Sequence, residues 1–275
     1  VTTGSQALKA PVSAVIPCFR CAATIERAVA SVVGQTLPPA ELILVDDHSR
    51  DGTLEALQHI AERLGKDWVQ VLALPQNLGA ASARNRGWEA ASQDYVAFLD
   101  ADDAWHPQKT EFQAGYLDRY PDVAACGRQH STYSPNPPRL EADALKGRPL
   151  SSLALLLANR LTPSAVMLRR ALPLRFDEGR RHMEDHLLWL RLALLGHSLH
   201  WIDAPLAYSF KAAYGESGLS AQMTAMAQAD FDNYRQLHRE GLLGFLPMAA
   251  LCTYSLLKSV RRLALSATRR PGRPQ

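Results

Sequence analysis

Cysteine is scarce. Four in 275 residues cannot form a disulfide scaffold, so a reduced, cytoplasmic setting is expected. Cys18 and Cys21 form a C-x-x-C after a strand-like run, a spacing that redox and zinc sites share. Cys126 and Cys252 stand alone, so the simpler expectation is two small residues at a strand–helix turn. No apolar run reaches the ~20 residues of a spanning helix. The longest uncharged stretch, 241–257, carries Pro247, which is expected to interrupt it. The N-terminal VTTGSQALKA lacks the basic-then-apolar layout of a secretory leader. Residues 241–275 contain no acid but hold Lys258, Arg261, Arg262, Arg269, Arg270 and Arg273. The formal net charge is only +3, so the rest of the chain is net negative. A basic tail on an acidic body suits an anionic surface, with lipid headgroups ahead of nucleic acid. No internal repeat is visible.

What is present is an ordinary globular composition, 47% hydrophobic and 21% charged, with ample material for a core. Over the first hundred residues strand-like and helix-like patterns alternate. VSAVIP (12–17), ELILVDD (41–47), WVQVLAL (68–74) and YVAFLD (95–100) read as buried strands. ATIERAVASVVGQ, TLEALQHIAERLG and NLGAASARNRGWEAAS read as helices between them. Thr53 is the expected N-cap of the second helix and Gly65 its stop. Such alternation implies right-handed βαβ units and a mostly parallel sheet covered on both faces. Beyond Trp105 the alternation ends. PQKTEFQAGYLDRY, SSLALLLAN and MEDHLLWLRLALLG read as helices, SAVMLRR as a strand and SPNPPRL as irregular.

Each polar cluster follows a strand: PCFR, DDHSRDGT, PQNLG and DADD. In an open parallel sheet those strand ends form one rim, where ligands bind. Asp100, Asp102 and Asp103 crowd directly after a buried strand. Mutual repulsion there requires a cation, and hard carboxylate oxygens suit Mg²⁺ or Mn²⁺ shared with a substrate diphosphate. Asp46 and Asp47 make a second acidic loop one strand away, able to accept hydrogen bonds from a ribose or a base. Arg84 and Arg86 place cations nearby.

In order, VSAVIPCFR, ELILVDDHSRDGT, NLGAASARNRG, DYVAFLDADDAWHPQKTE and MEDHLLWLRL resemble the motifs of family 2 glycosyltransferases, inverting enzymes with the GT-A nucleotide-sugar fold. The resemblance runs over roughly residues 10–220. It implies an α/β, Rossmann-like sandwich with a mostly parallel central sheet and a helical C-terminal extension. It implies that Pro17, Phe19 and Asp47 hold the nucleotide base, that Asp100 contacts the ribose or the metal's outer shell, and that Asp102 ligates a divalent cation, Mn²⁺ or Mg²⁺. Arg84 would help hold the diphosphate. Asp185 would be the catalytic base, with Glu184 beside it. Many relatives carry Tyr-Arg where this chain has Tyr208-Ser209, so that contact would be missing or supplied by Lys211 or His182. The Gln-x-x-Arg-Trp sequence of processive synthases is absent, which favours transfer of one sugar.

The expected organisation is a nucleotide-sugar half (10–105), an acceptor half of the same domain (106–240) and a helical basic tail (241–275). The expected reaction moves one sugar from a nucleotide-diphosphate donor, UDP by family habit, to an acceptor hydroxyl with inversion. The acceptor is a saccharide or a lipid-linked one, in cell-surface polysaccharide or glycolipid synthesis. The tail is expected to pack on the body or to touch the inner face of the membrane. Two alternatives are a sugar-nucleotide nucleotidyltransferase and a non-catalytic nucleotide-sugar-binding module. The first would show a glycine-rich loop after the first strand, and PCFRCAAT has none.

Overall fold

The computed structural model describes residues 8–141, 146–210 and 219–268. Two compact units are present, 1–211 and 212–275.

The first unit opens with β1 (Ala10–Cys18), α1 (Ile25–Val33), β2 (Pro39–Asp46), α2 (Thr53–Leu64), β3 (Val69–Ala73), α3 (Ala80–Ala90) and β4 (Tyr95–Phe98). Then come β5 (Asp103–Trp105), α4 (Lys109–Arg119), β6 (Val123–Gly127), β7 (Ser131–Thr132), β8 (Gly147–Pro149) and α5 (Ser152–Leu157). A 3₁₀ turn (Pro163–Ala165), β9 (Met167–Arg169), α6 (Glu184–Leu194), β10 (Ser198–Ile202) and β11 (Ala207–Ser209) complete it.

Eight strands form the main sheet in the order β3-β2-β1-β4-β9-β6-β10-β8. The first four are mutually parallel, while β9 runs antiparallel to both of its neighbours. Because β2 and β3 lie to one side of β1 and β4 to the other, the strand order reverses beside β1. At such a switch point a crevice opens outside the carboxyl ends. A small sheet, β5-β11-β7, stands apart. The strand interiors, among them Val15, Ile16, Leu42 to Val45 and Val96 to Leu99, are buried, as a sheet covered on both faces requires. Helix α3 lies so close to β1 that a Cβ on Gly87 would collide with the Val15 side chain.

Two local expectations need correction. Thr53 is the first helical residue of α2; the N-cap is Gly52, at φ 84°, a conformation glycine reaches without strain. Asp51 does the capping instead, accepting from the Thr53 amide at 3.2 Å and its hydroxyl at 2.7 Å. That frees Thr53 Oγ1 to accept from the Cys21 amide at 2.9 Å, tying α2 to the loop after β1.

The second unit holds α7 (Leu219–Arg239) and α8 (Phe245–Thr268). Pro247 does not interrupt α8. It lies in the first turn, where the missing N–H has no intrahelical partner to lose. The two helices are tied at Asp230, which accepts from Ser255 at 3.1 Å and Lys258 at 3.3 Å. Leu246, Ala250, Thr253, Leu257 and Val260 form an exposed stripe along α8 at helical spacing. No described helix is long and apolar enough to cross a membrane.

Candidate active site

The rim loops enclose a cleft of about 740 Å³ at the carboxyl ends of β1, β2 and β4. Pro17, Phe19, Asp47, Arg84, Asp100, Asp102 and Glu184 all line it. Asp185 is not among its walls, nor are Asp46, Arg86 and Asp103. Lys211 lies outside the described residues.

Phe19 is 46% exposed, with the Arg20 guanidinium 5.1 Å from its ring centre. An open ring face beside a cation can stack on a flat heterocycle. Asp47 is buried, and its two oxygens accept the amides of Leu78 and Gly79 at 2.7 and 2.8 Å. It therefore fastens the loop that starts α3, an N-terminal anchoring carboxylate, while still facing the cleft.

The crowded aspartates resolve in an unexpected way. Only two of them reach the cleft. Asp103 turns inward as the start of β5, and Ser164 donates to its Oδ2 at 2.7 Å. Burial and, next, the charge of Asp100 push its pKa up to about 6. Asp100 is met by a cation from the protein itself: Arg84 Nη2 lies 2.7 Å from Oδ1, and its Nη1 lies 2.8 Å from Glu184 Oε1. Arg84 is buried. Burial alone would depress its pKa, but Asp100 and Glu184 hold it above the ordinary value. The expectation that repulsion demands a divalent ion thus needs amendment, since a guanidinium meets part of that demand.

Among the described residues no three His, Cys, Asp or Glu side chains are grouped to hold a metal by themselves. Asp102, with Asp100 two residues away in the same cleft, still supplies a hard-oxygen donor. One or two carboxylates completed by substrate phosphates is the donor set Mg²⁺ commonly takes, and the residues present fit it. Cys18 ends β1, and Cys21 lies in the loop before α1. Both thiols are buried at the cleft edge; Cys18 donates to the Ile16 carbonyl at 3.4 Å, and the interaction of the two thiols raises the pKa of Cys18 and lowers that of Cys21.

Helix α3 carries the opposite wall. Asn85 makes paired bonds with the backbone of Phe176, 2.9 Å to its carbonyl and 3.0 Å from its amide. Ser82 and Asn85 both reach Glu178. With Arg84 on Glu184, one turn of α3 fixes the segment leading into α6. Beneath it Phe176 packs edge-on against Trp88, Phe98 and Trp189.

Asp185 stands in the first turn of α6, behind Glu184. Asn159 Nδ2 donates to its Oδ2 at 2.9 Å. Burial, then the neighbouring Glu184 charge, raises its pKa. Among described residues the non-glycine residues with positive φ are Arg20, His48 and Met183. All three sit in rim loops, and Met183 immediately precedes Glu184. Strained backbone of this kind collects at functional sites.

The sequence reading missed the arginines. Arg20, Arg180 and Arg181 line the cleft beside His182, so its wall is richer in cations than Arg84 alone suggested. The signal was the basic run GRRH just before MEDH. Tyr208 and Ser209, by contrast, lie buried in the small sheet on β11 and are absent from the cleft walls.

Comparison with known proteins agrees with this architecture. The mannosyltransferase PcManGT of Pyrobaculum calidifontis, solved with GDP-Man and Mn²⁺, superposes with a TM-score of 0.68 at 18% identity. The match covers 96% of this chain and 77% of that one. The amylovoran biosynthesis glycosyltransferase AmsB of Erwinia amylovora is 31% identical over 206 residues, 71% of this chain and 68% of AmsB. WfaP of Escherichia coli, a UDP-Glc:alpha-D-GlcNAc-diphosphoundecaprenol beta-1,3-glucosyltransferase, is 33% identical over 109 residues, 39% of this chain and 41% of WfaP. Several curated relatives are matched over only about two fifths of their length. The family model for glycosyl transferase family 2 matches residues 13–172, more than half of the chain, and the chain belongs to that family.

Proposed function

We propose that this protein transfers a single sugar from a nucleotide-diphosphate sugar to an acceptor hydroxyl, with inversion at the anomeric carbon. The observation that carries the reading is the arrangement around Arg84. One guanidinium ties the donor-side Asp100 to Glu184, the residue before Asp185, so the donor cleft and the base belong to one braced unit. Phe19 and Pro17 receive the nucleotide base, with Asp47 behind them, and the cationic wall of Arg20, Arg180 and Arg181 draws the diphosphate. Asp185 takes the proton of the acceptor hydroxyl as its oxygen attacks, and its raised pKa suits a carboxylate that must hold that proton. Asp102 would hold a divalent cation, Mn²⁺ or Mg²⁺, which when bound would supply charge neutralisation for the diphosphate.

Relatives guide the substrate class. AmsB builds amylovoran by its name, and WfaP uses UDP-Glc with a lipid-linked acceptor. We therefore place this chain in cell-surface polysaccharide or glycolipid synthesis, with a UDP-sugar donor and a saccharide or lipid-linked acceptor. A lipid-linked acceptor would make surface attachment useful, and Lys258, Arg261 and the exposed stripe of α8 suit anionic lipid on the cytoplasmic side.

A thermal-shift panel of UDP-, GDP- and dTDP-sugars, each with and without Mn²⁺, tests the donor. A bound ligand raises the melting temperature by mass action. Stabilisation by one nucleotide series, enhanced by the metal, is expected. No shift with any nucleotide sugar would remove the reading.

A further inference from the structure

Asn159 meets Asp185 at the start of α6. It stands two residues past the end of α5, and α5 is clamped along α6. His186 Nε2 lies 2.8 Å from the Leu155 carbonyl, and Ser152 donates to the Ala193 carbonyl at 3.3 Å. The end of α5 is therefore delivered to the start of α6, where Asp185 stands.

The Asn159 amide has one orientation that satisfies its neighbours. Its Oδ1 accepts from the Leu161 amide at 3.2 Å, and a backbone N–H can only donate. Nδ2 must then face the carboxylate, where it donates to Asp185 Oδ2 at 2.9 Å. The Asn159 carbonyl is itself held by Gln129 Nε2 at 2.6 Å. The donor is thus fixed by two bonds before Asp185 meets it.

We propose that Asn159 is the positioning residue of the base: it holds Asp185 by Oδ2, so that Oδ1 is the oxygen presented to the acceptor hydroxyl. This rests on the reading of Asp185 as the base. In the transfer step the acceptor proton goes to Asp185 Oδ1 and the acceptor oxygen bonds to the anomeric carbon. The bond from that carbon to the diphosphate breaks, its electron pair leaving on the diphosphate. A carboxylate free to rotate would divide its two oxygens between productive and idle directions; a hydrogen bond to one of them removes that freedom.

The same bond favours the charged carboxylate, against burial and the like charge of Glu184. The charged and titratable groups around Asp185 are Glu184 and His186 on its own helix and Arg84 on α3. The described part of α5 contributes none, and Arg160 beyond it is exposed. Asn159 is the neutral donor of the set, and so it orders the base without altering the net charge.

The test is the pH dependence of transfer in Asn159→Ala and Asn159→Asp, with Asp185→Asn as control. Asn159→Ala should move the acid limb of kcat up by about one pH unit and lower kcat about tenfold at pH 7, with donor KM within about twofold. Asn159→Asp keeps an acceptor for the Leu161 amide but sets a second carboxylate against the base, and should move the limb further. Should the alanine variant not fold, the near-isosteric aspartate variant decides. An acid limb unmoved in the folded variants, with Asp185→Asn inactive, overturns the role of Asn159 alone. Transfer by Asp185→Asn at the parent rate overturns the base assignment and this inference with it.

Discussion

Arg84 Nη1 lies 2.8 Å from Glu184 Oε1, across one hundred residues of sequence. The same guanidinium, through Nη2, meets Asp100 at 2.7 Å. One buried side chain on α3 thus neutralises an acid of the rim and an acid beside Asp185. Removing it leaves two carboxylates facing each other without a counter-charge.

Arg84→Met should therefore destabilise the fold by about 1–3 kcal/mol, less than for a fully buried pair, because the Asp100 side chain is 35% exposed. Arg84→Lys should recover only part of this, because an ammonium cannot fork to two carboxylates as a guanidinium does. Chemical denaturation of the three proteins measures both. Parent-like stability of Arg84→Met would show that the bridge contributes nothing.

Asp185→Asn should lower transfer by about 10²–10⁴-fold while donor affinity stays near the parent value. The sign of the pH dependence follows from the raised pKa of Asp185. As the proposed base, Asp185 would work only when deprotonated, so activity should fall as pH drops through a value above the ordinary carboxylate range. Steady-state rates and nucleotide titration, measured side by side, check the two halves of this expectation.

Asp102→Asn should abolish the extra thermal stabilisation that Mn²⁺ confers in the presence of a nucleotide diphosphate and leave the melting temperature without ligands close to the parent. Full retention of the metal increment would move the metal ligand elsewhere in the cleft.

Lys109 is fully buried on α4, its ammonium 3.3 Å from the Val166 carbonyl and 4.4 Å from the centre of the Trp105 ring. Burial lowers its pKa to about 7. An unfolded lysine keeps its proton to about pH 10.4, so between these values the unfolded chain binds more protons. Stability should then rise as pH climbs from about 7 toward 10 and be insensitive to this group below. Lys109→Met should remove that rise, at a cost of about 1–3 kcal/mol for the Val166 carbonyl left without its donor. Urea melts across the pH range read it; a methionine variant whose stability climbs between about pH 7 and 10 as steeply as the parent's would contradict it.

Full-length protein should co-sediment with vesicles containing anionic lipid, and added salt should weaken the binding. Leu257→Glu with Val260→Glu, on the exposed stripe of α8, should reduce it to the level seen with zwitterionic vesicles. Equal recovery with both kinds of vesicle would remove lipid from the partners proposed here.

Much of the fold was legible in the chain. The alternation through Phe98 placed four strands and three helices, since a buried parallel strand must be continuously apolar and its crossover helix must repeat every 3.6 residues. The irregular SPNPPRL and the α6 stop at Gly196, φ 88°, were equally readable from local chemistry. Cap details were not. Whether Thr53 or Asp51 caps α2 depends on which of them the Cys21 amide recruits, a contact 32 residues away.

By itself the sequence determined which groups stand at the strand ends, because topology carries every β–α loop of a parallel sheet to one edge. Only the tertiary structure decided what those groups do to one another. DADD reads as three equivalent charges; folded, one acid turns inward to Ser164, one meets Arg84 and one stays at the cleft. Asn159 carries no local signal at all, for its partner is 26 residues away. Spacing along a chain sets which side chains share an edge, but charge is balanced in space, by whichever neighbours the fold brings within hydrogen-bond reach.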